Sequence, residues 1–177
     1  DGRYIEAAEK QISACEVVLL GKTYPQIATI LNEMNCRHLL VESTRMTVST
    51  YNSLKGVLKN ISISTDTTLD TIINSIRSIK NEYEVDCIVK AQRIAEQAFE
   101  HILKYIKVGV TEKDIQLELD FFMLRNGGEG LSFETIAVSG KNSSMPHGVP
   151  SNKAVENGDF ITMDFGTIIN GYHSDMT

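Results

Sequence analysis

Apolar and polar positions fall into three successive rhythms along the chain. Over residues 1–66 short apolar runs alternate with helical spacings. "GRYIEAAEKQI" reads as a helix, "EVVLL" as a strand and "TYPQIATILNEM" as a helix entered at Thr23. "RHLLVE" follows as a strand, "TVSTYNSLKGVL" as a helix and "NISIS" as a strand. Strands separated by helices of this length predict a small α/β layer. Asp1 stands at a helix N-cap position, which predicts that a further segment precedes it in the protein.

A second rhythm begins near residue 80. Asn81 is placed to cap a helix, with Glu82 and Glu84 favouring the dipole in its first turn. Val85, Ile88, Val89, Ala95, Ala98, Phe99, Ile102 and Ile106 then recur at helical spacing. Lys104 and Lys107 lie near the end of this helix, and Gly109 follows it. "TEKDIQLELDFFMLRNGG" predicts the next helix, opened by a capping box of Thr111 and Asp114 and stopped by Gly127-Gly128. Its apolar residues line two sides, Ile115, Leu119 and Phe122 on one and Leu117, Phe121 and Leu124 on the other. That pattern predicts a deeply buried helix.

From Phe133 the pattern turns to strands: "FETIAVSG", a loop "KNSSMPHGVPSN", then "DFITMDFGTIINGYHSDMT". Asn170-Gly171 between apolar-rich runs predicts a hairpin with a type I′ turn, which needs positive φ at both central residues. The register then pairs Ile169 with Tyr172, Gly166 with Asp175 and Asp164 with Thr177. Thr162, Asp164, His173, Asp175 and Thr177 share the polar face; Ile161, Met163, Phe165, Ile169, Tyr172 and Met176 make the apolar one. Asp164 and Asp175 are diagonal neighbours, with Cα atoms roughly 7–8 Å apart, and Gly166 puts no side chain between them. Two readings stand at this point. The face meets water, as one side of most antiparallel sheets does, or the carboxylates span a pair of hard cations about 3.5–4 Å apart.

Composition narrows the partners. With 42% hydrophobic and 23% charged residues among 177, the chain has an ordinary globular balance and room for one generous domain or two small ones. A net charge of −6 argues against nucleic acid, which needs clustered Lys and Arg. No apolar run is long enough to span a membrane, and the opening residues have no signal-peptide core. Cys15, Cys36 and Cys87, odd in number and far apart, read as small buried hydrophobes in a reducing cytoplasm. His38 and His101 carry no signal.

The C-terminal third, "MPHGVP…GDFITMDFGTIINGYHSDMT", resembles the signature of the pita-bread (creatinase/aminopeptidase P-like) metallopeptidases. His147, Gly148 and Pro150 match that pattern, as do Gly158-Asp159, Asp164, Gly166, Gly171-Tyr172 and Ser174-Asp175. Arg77, Lys80 and Glu84 in "IRSIKNEYEVDCIVKAQRIAEQAF" resemble the opening of the catalytic domain in the Xaa-Pro aminopeptidase/prolidase branch. "DGRYIEAAEKQ" and "LLVE" resemble that branch's N-terminal domain. The resemblance implies a creatinase N-terminal-like α/β domain over 1–75 and the α+β first half of a pita-bread catalytic domain over 76–177. It implies a peptidase acting on Xaa-Pro bonds of proline-containing peptides, cytoplasmic and pairing as a homodimer. Asp164 and Asp175 would ligate two divalent ions, Mn²⁺ first and Co²⁺ or Zn²⁺ next, with Asp175 bridging both. His147 would stabilise charge in the substrate cleft, while the pattern gives His173 no role. The family's remaining ligands, a His and two Glu, would lie beyond Thr177, so this chain alone is expected to be inactive. The alternatives are a methionine aminopeptidase, a creatinase-like hydrolase, or a metal-free module that binds peptides or proteins.

Overall fold

A computed structural model describes residues 2–177. The chain divides into two compact units, Asp1–Ile79 and Lys80–Thr177. The N-cap expected at Asp1 lies outside the described residues.

The first unit is a small α/β layer. Its helices are α1 (Ile5–Gln11), α2 (Thr23–Glu33), α3 (Val48–Val57) and α4 (Thr68–Ser78). Two strands, β1 (His38–Leu40) and β2 (Ser62–Ser64), pair in parallel. Leu54, Leu58 and Ile61 are buried at its centre, with Ile27, Leu31, Leu39 and Ile63 packed on them. Two expectations need correction. "EVVLL" is not a strand: among the described residues no strand pairs with it, and Val18, Leu19 and Leu20 are exposed. α4 was not anticipated, although Leu69, Ile72, Ile73 and Ile76 have helical spacing; its Asp70 is buried and accepts from the backbone and hydroxyls of Ser43 and Thr44. Cys15 is exposed, against the expectation of a buried thiol.

The second unit stacks two helices on β-structure. α5 (Glu82–Tyr105) starts with a complete capping box between Asn81 and Glu84, and α6 (Glu112–Arg125) with another between Thr111 and Asp114. The buried stripe of α5 is Cys87, Ala91, Ala95, Ala98 and Ile102, at steps of four and three. Three of these five are alanines, so backbone can approach backbone where α6 packs with Ile115, Leu119 and Met123. Val85 and Val89, expected inside, are 47% and 45% exposed because they fall off this stripe. α6 is one-sided as well: Leu117, Phe121 and Leu124 face outward, so the expectation of a helix buried all round fails.

β3 (Ile136–Ser139) and β4 (Ile161–Asp164) pair antiparallel, with Ile136 opposite Asp164 and Val138 opposite Thr162. β5 (Ile168–Ile169) and β6 (Tyr172–His173) close the hairpin, and Phe165 bridges to Met176. Asn170 and Gly171 have φ of 50° and 77°, the pair of positive values that a type I′ turn needs. Phe165, Thr167 and Ser174 of the hairpin point inward and are buried.

Candidate metal centre and substrate cleft

β3 has two working faces because side chains alternate along a strand. Toward α6 it presents Ala137 and Ser139, with Thr135 just ahead of the strand, all buried. The Thr135 hydroxyl donates to Asp120 Oδ1 at 2.6 Å, and Ser139 donates to Glu112. Burial raises the Asp120 pKa above its ordinary value, against the lowering effect of the Thr135 bond. On the opposite face β3 presents Ile136 and Val138, with Glu134 just ahead of the strand. Glu134 and Ile136 line a cleft of about 670 Å³ together with His147, Asp164 and Asp175. Phe133, Val149 and Pro150 add apolar wall, and Lys113 stands at its edge on α6.

The hairpin delivers the two aspartates by the register that its turn dictates. Ile169–Tyr172, Ile168–His173 and Phe165–Met176 all keep the same pairing sum, which sets Gly166 opposite Asp175. One irregularity sharpens the placement. Where a regular ladder would have Thr167 N–H bond the Ser174 carbonyl, it bonds Ser174 Oγ instead, at 3.0 Å, and Ser174 N–H donates to Thr167 O. The freed Ser174 carbonyl leans over Gly166, where a Cβ would come within 2.0 Å of it. Only glycine tolerates that approach.

Asp164 Oδ1 is buried and has no hydrogen-bond donor among the described residues. Asp175 is exposed on the same cleft. A buried carboxylate oxygen left unpaired is unfavourable unless a cation or a donor meets it. This orphaned acceptor, beside a second carboxylate with glycine between, fits a hard divalent ion. Among the described residues no group of three His, Cys, Asp or Glu side chains is placed to hold a metal ion; Asp164 and Asp175 are the carboxylates that would meet such an ion here. His147 is exposed on the cleft wall, in the loop above Val138. His173 shares the polar face with Asp175 but does not line the cleft.

Sequence reasoning missed the residues that hold this arrangement in place. Glu112 is wholly buried in the first turn of α6, a position that reads in sequence as a dipole-favouring surface carboxylate. Lys153 Nζ bonds Asp159 Oδ2 at 2.6 Å and Ser139 Oγ at 3.0 Å. The Lys153 amine, with the Glu156 N–H adding to it, holds the Asp159 carboxyl below its usual range. Gly140, at φ +55°, sits against that carboxylate with no room for a Cβ.

Comparison with known proteins agrees with this architecture. The profile described as metallopeptidase family M24 matches residues 86–177, and that of the creatinase/prolidase N-terminal domain matches residues 1–79. An uncharacterized peptidase, YqhT, of Bacillus subtilis is 35% identical over all of this chain and 50% of its own length. The structure of an Xaa-Pro dipeptidase from Bacillus anthracis superposes with a TM-score of 0.91 at 37% identity, over 98% of this chain and 48% of that one. An X-Pro aminopeptidase from Thermotoga maritima gives 0.88 at 32% identity, over 99% and 49%. The chain therefore spans about half the length of the relatives it matches. Its fold is a creatinase N-terminal-type α/β unit followed by the first half of a pita-bread domain. The chain belongs to metallopeptidase family M24.

Proposed function

We propose that this sequence supplies part of the active centre of a metal-dependent Xaa-Pro peptidase. Such an enzyme removes the residue ahead of a penultimate proline or splits a dipeptide that ends in proline. The observation that carries the reading is Asp164 Oδ1, buried without a donor in a cleft shared with Asp175 and His147. The substrate class comes from relatives named Xaa-Pro dipeptidase and X-Pro aminopeptidase. Because those proteins are about twice as long, the activity is proposed for a polypeptide of their full length.

Asp164 would hold one divalent ion and Asp175 would lie between two. Mn²⁺ is the first choice and Co²⁺ or Zn²⁺ the next, since carboxylates are hard donors. When bound, the ions supply Lewis acidity toward the peptide carbonyl and a nucleophile at neutral pH. His147 donates its ring N–H to the oxygen of the scissile bond, where negative charge develops. Phe133, Ile136 and Pro150 give the proline ring an apolar wall and exclude water from around it. Three free cysteines suit a cytoplasmic setting, and among the described residues no helix is long and apolar enough to cross a membrane.

The test is hydrolysis of an Xaa-Pro dipeptide, and of a longer peptide with penultimate proline, by a polypeptide of the relatives' length that carries this sequence. Turnover should need a divalent ion. It should fall at least about 100-fold in Asp175→Ala, the upper end of what losing even an outer-sphere partner costs. Undiminished turnover in that variant would sink the assignment. Peptide binding without any turnover would favour the non-catalytic module.

A further inference from the structure

The loop that carries His147 leaves β3 at Ser139 and rejoins the body at Ser151. Both ends close on one carboxylate. Glu112 Oε1 accepts from Ser139 N–H at 2.7 Å, from Ser139 Oγ at 3.1 Å and from Asn142 Nδ2 at 3.0 Å. Glu112 Oε2 accepts from Ser151 N–H at 3.0 Å and from Ser151 Oγ at 2.6 Å. The backbone around Glu112 joins in: its own N–H donates to Lys153 O, and Lys113 N–H donates to Ser151 O. Helix α6 thus finds partners for two of its N-terminal N–H groups in the returning end of the loop. Between the two ends, Thr162 Oγ1 ties Ser143 O to β4, and Gly148 rests on Val138 so closely that a Cβ would meet its methyl at 2.9 Å.

We infer that Glu112 is a positioning residue for His147: its buried carboxylate staples both ends of segment 139–151 and so fixes the histidine over the cleft. The inference rests on the proposed role of His147 and deepens it. A neutral amide cannot substitute, because it offers one acceptor oxygen and one donor nitrogen where the loop presents donors at both ends. Five donors on one carboxylate also keep it ionised. Desolvation pushes its pKa up, yet the bonds from Ser151, Ser139 and Asn142 together outweigh that and hold it below the ordinary glutamate value. The clamp reaches further through Lys153, which links Ser139 to Asp159.

The experiment compares this chain with its Glu112→Gln variant by amide hydrogen exchange and by proton NMR of His147 and His173 with Mn²⁺ added. In the parent chain Mn²⁺ at the two aspartates broadens the ring resonances of both histidines. In Glu112→Gln, exchange over 140–150 should rise at least about tenfold while α5, α6, β3 and β4 stay protected. His147 broadening should drop, and that of His173 should persist. Unchanged exchange and unchanged His147 broadening would overturn the inference. Should Mn²⁺ broaden neither histidine in the parent chain, the metal assignment falls and the exchange result alone decides the clamp. If Glu112→Gln does not fold, Ser151→Ala removes one hydroxyl from Oε2 and carries the same comparison with a smaller expected rise. An unchanged loop in that variant would count against the clamp.

Discussion

At the scale of single residues, the cleft holds a group whose position costs the free fold stability. Asp164 Oδ1 is buried without a donor, and an unsatisfied buried polar atom costs about 1–3 kcal/mol. Replacing Asp164 by Asn removes the charge while keeping the shape. The metal-free variant should therefore be at least as stable as the parent, by up to about 1 kcal/mol. Thermal unfolding in chelator checks this. Millimolar Mn²⁺ should raise the midpoint of the parent chain and not that of Asp164→Asn, because only a ligand that binds the folded state shifts the transition. A variant clearly less stable in chelator, or one that Mn²⁺ stabilises equally, would remove Asp164 from the site. The placement of Asp164 and Asp175 was legible in sequence because an Asn-Gly turn fixes register by itself. Glu112 was not, since its five donors come from residues 139–151 and only the tertiary fold gathers them.

At the scale of elements, the hairpin tip is tied to the start of α5. Tyr172 Oη donates to Glu84 Oε1 at 2.9 Å, and the Asn170 and Gly171 N–H groups donate to Glu129. Asn170 Nδ2 lies 3.6 Å from Cys87 Sγ, deep on the same helix. Glu84 serves two elements at once, as the return half of the capping box, through Asn81 N–H, and as anchor for the hairpin. The Asn81 bond first and the Tyr172 bond second hold its pKa below the ordinary 4.5. A depressed carboxylate contributes stability above its unfolded pKa and loses it as pH falls through the folded value. Tyr172→Phe should therefore lower the unfolding midpoint at pH 7, and the difference from the parent should shrink below pH 4.5. A pH-independent difference would mean that the tyrosine contributes by packing alone. The starts of α5 and α6 and this hairpin were readable because caps and turns are local chemistry. The "EVVLL" strand was misread because a strand exists only with a partner, which no local pattern specifies. The outward face of α6 was misread for the same reason: apolar residues on two sides do not say which side another element covers.

At the scale of the whole molecule, two apolar clusters stand apart in the sequence. One centres on Leu54, Leu58 and Ile61, the other on Ala95, Ile102, Leu119 and Phe165. The sequence predicts a boundary between residues 66 and 82, drawn at 75/76. The contacts divide the chain after Ile79, and the two family profiles cover 1–79 and 86–177. We propose that these are separately folding domains. The chain between them is short: α4 ends at Ser78, Asn81 caps α5, and Ile79 is 82% exposed with extended backbone. Cleavage needs a protease to straighten several residues around the bond, which is cheap between helices and costly inside them. Brief trypsin treatment should therefore cut first after Lys80, the basic residue between α4 and α5. The product carrying residues 81–177 should resist further digestion, because both helices of that unit begin with complete capping boxes and bury a continuous core. The product should also keep the Mn²⁺ response of the intact chain, since Asp164, Asp175 and Glu112 all lie within it. Mass spectrometry of the early products decides the matter. First cuts inside α5 or α6, or loss of the whole chain with no stable intermediate, would show that the two clusters stand or fall together.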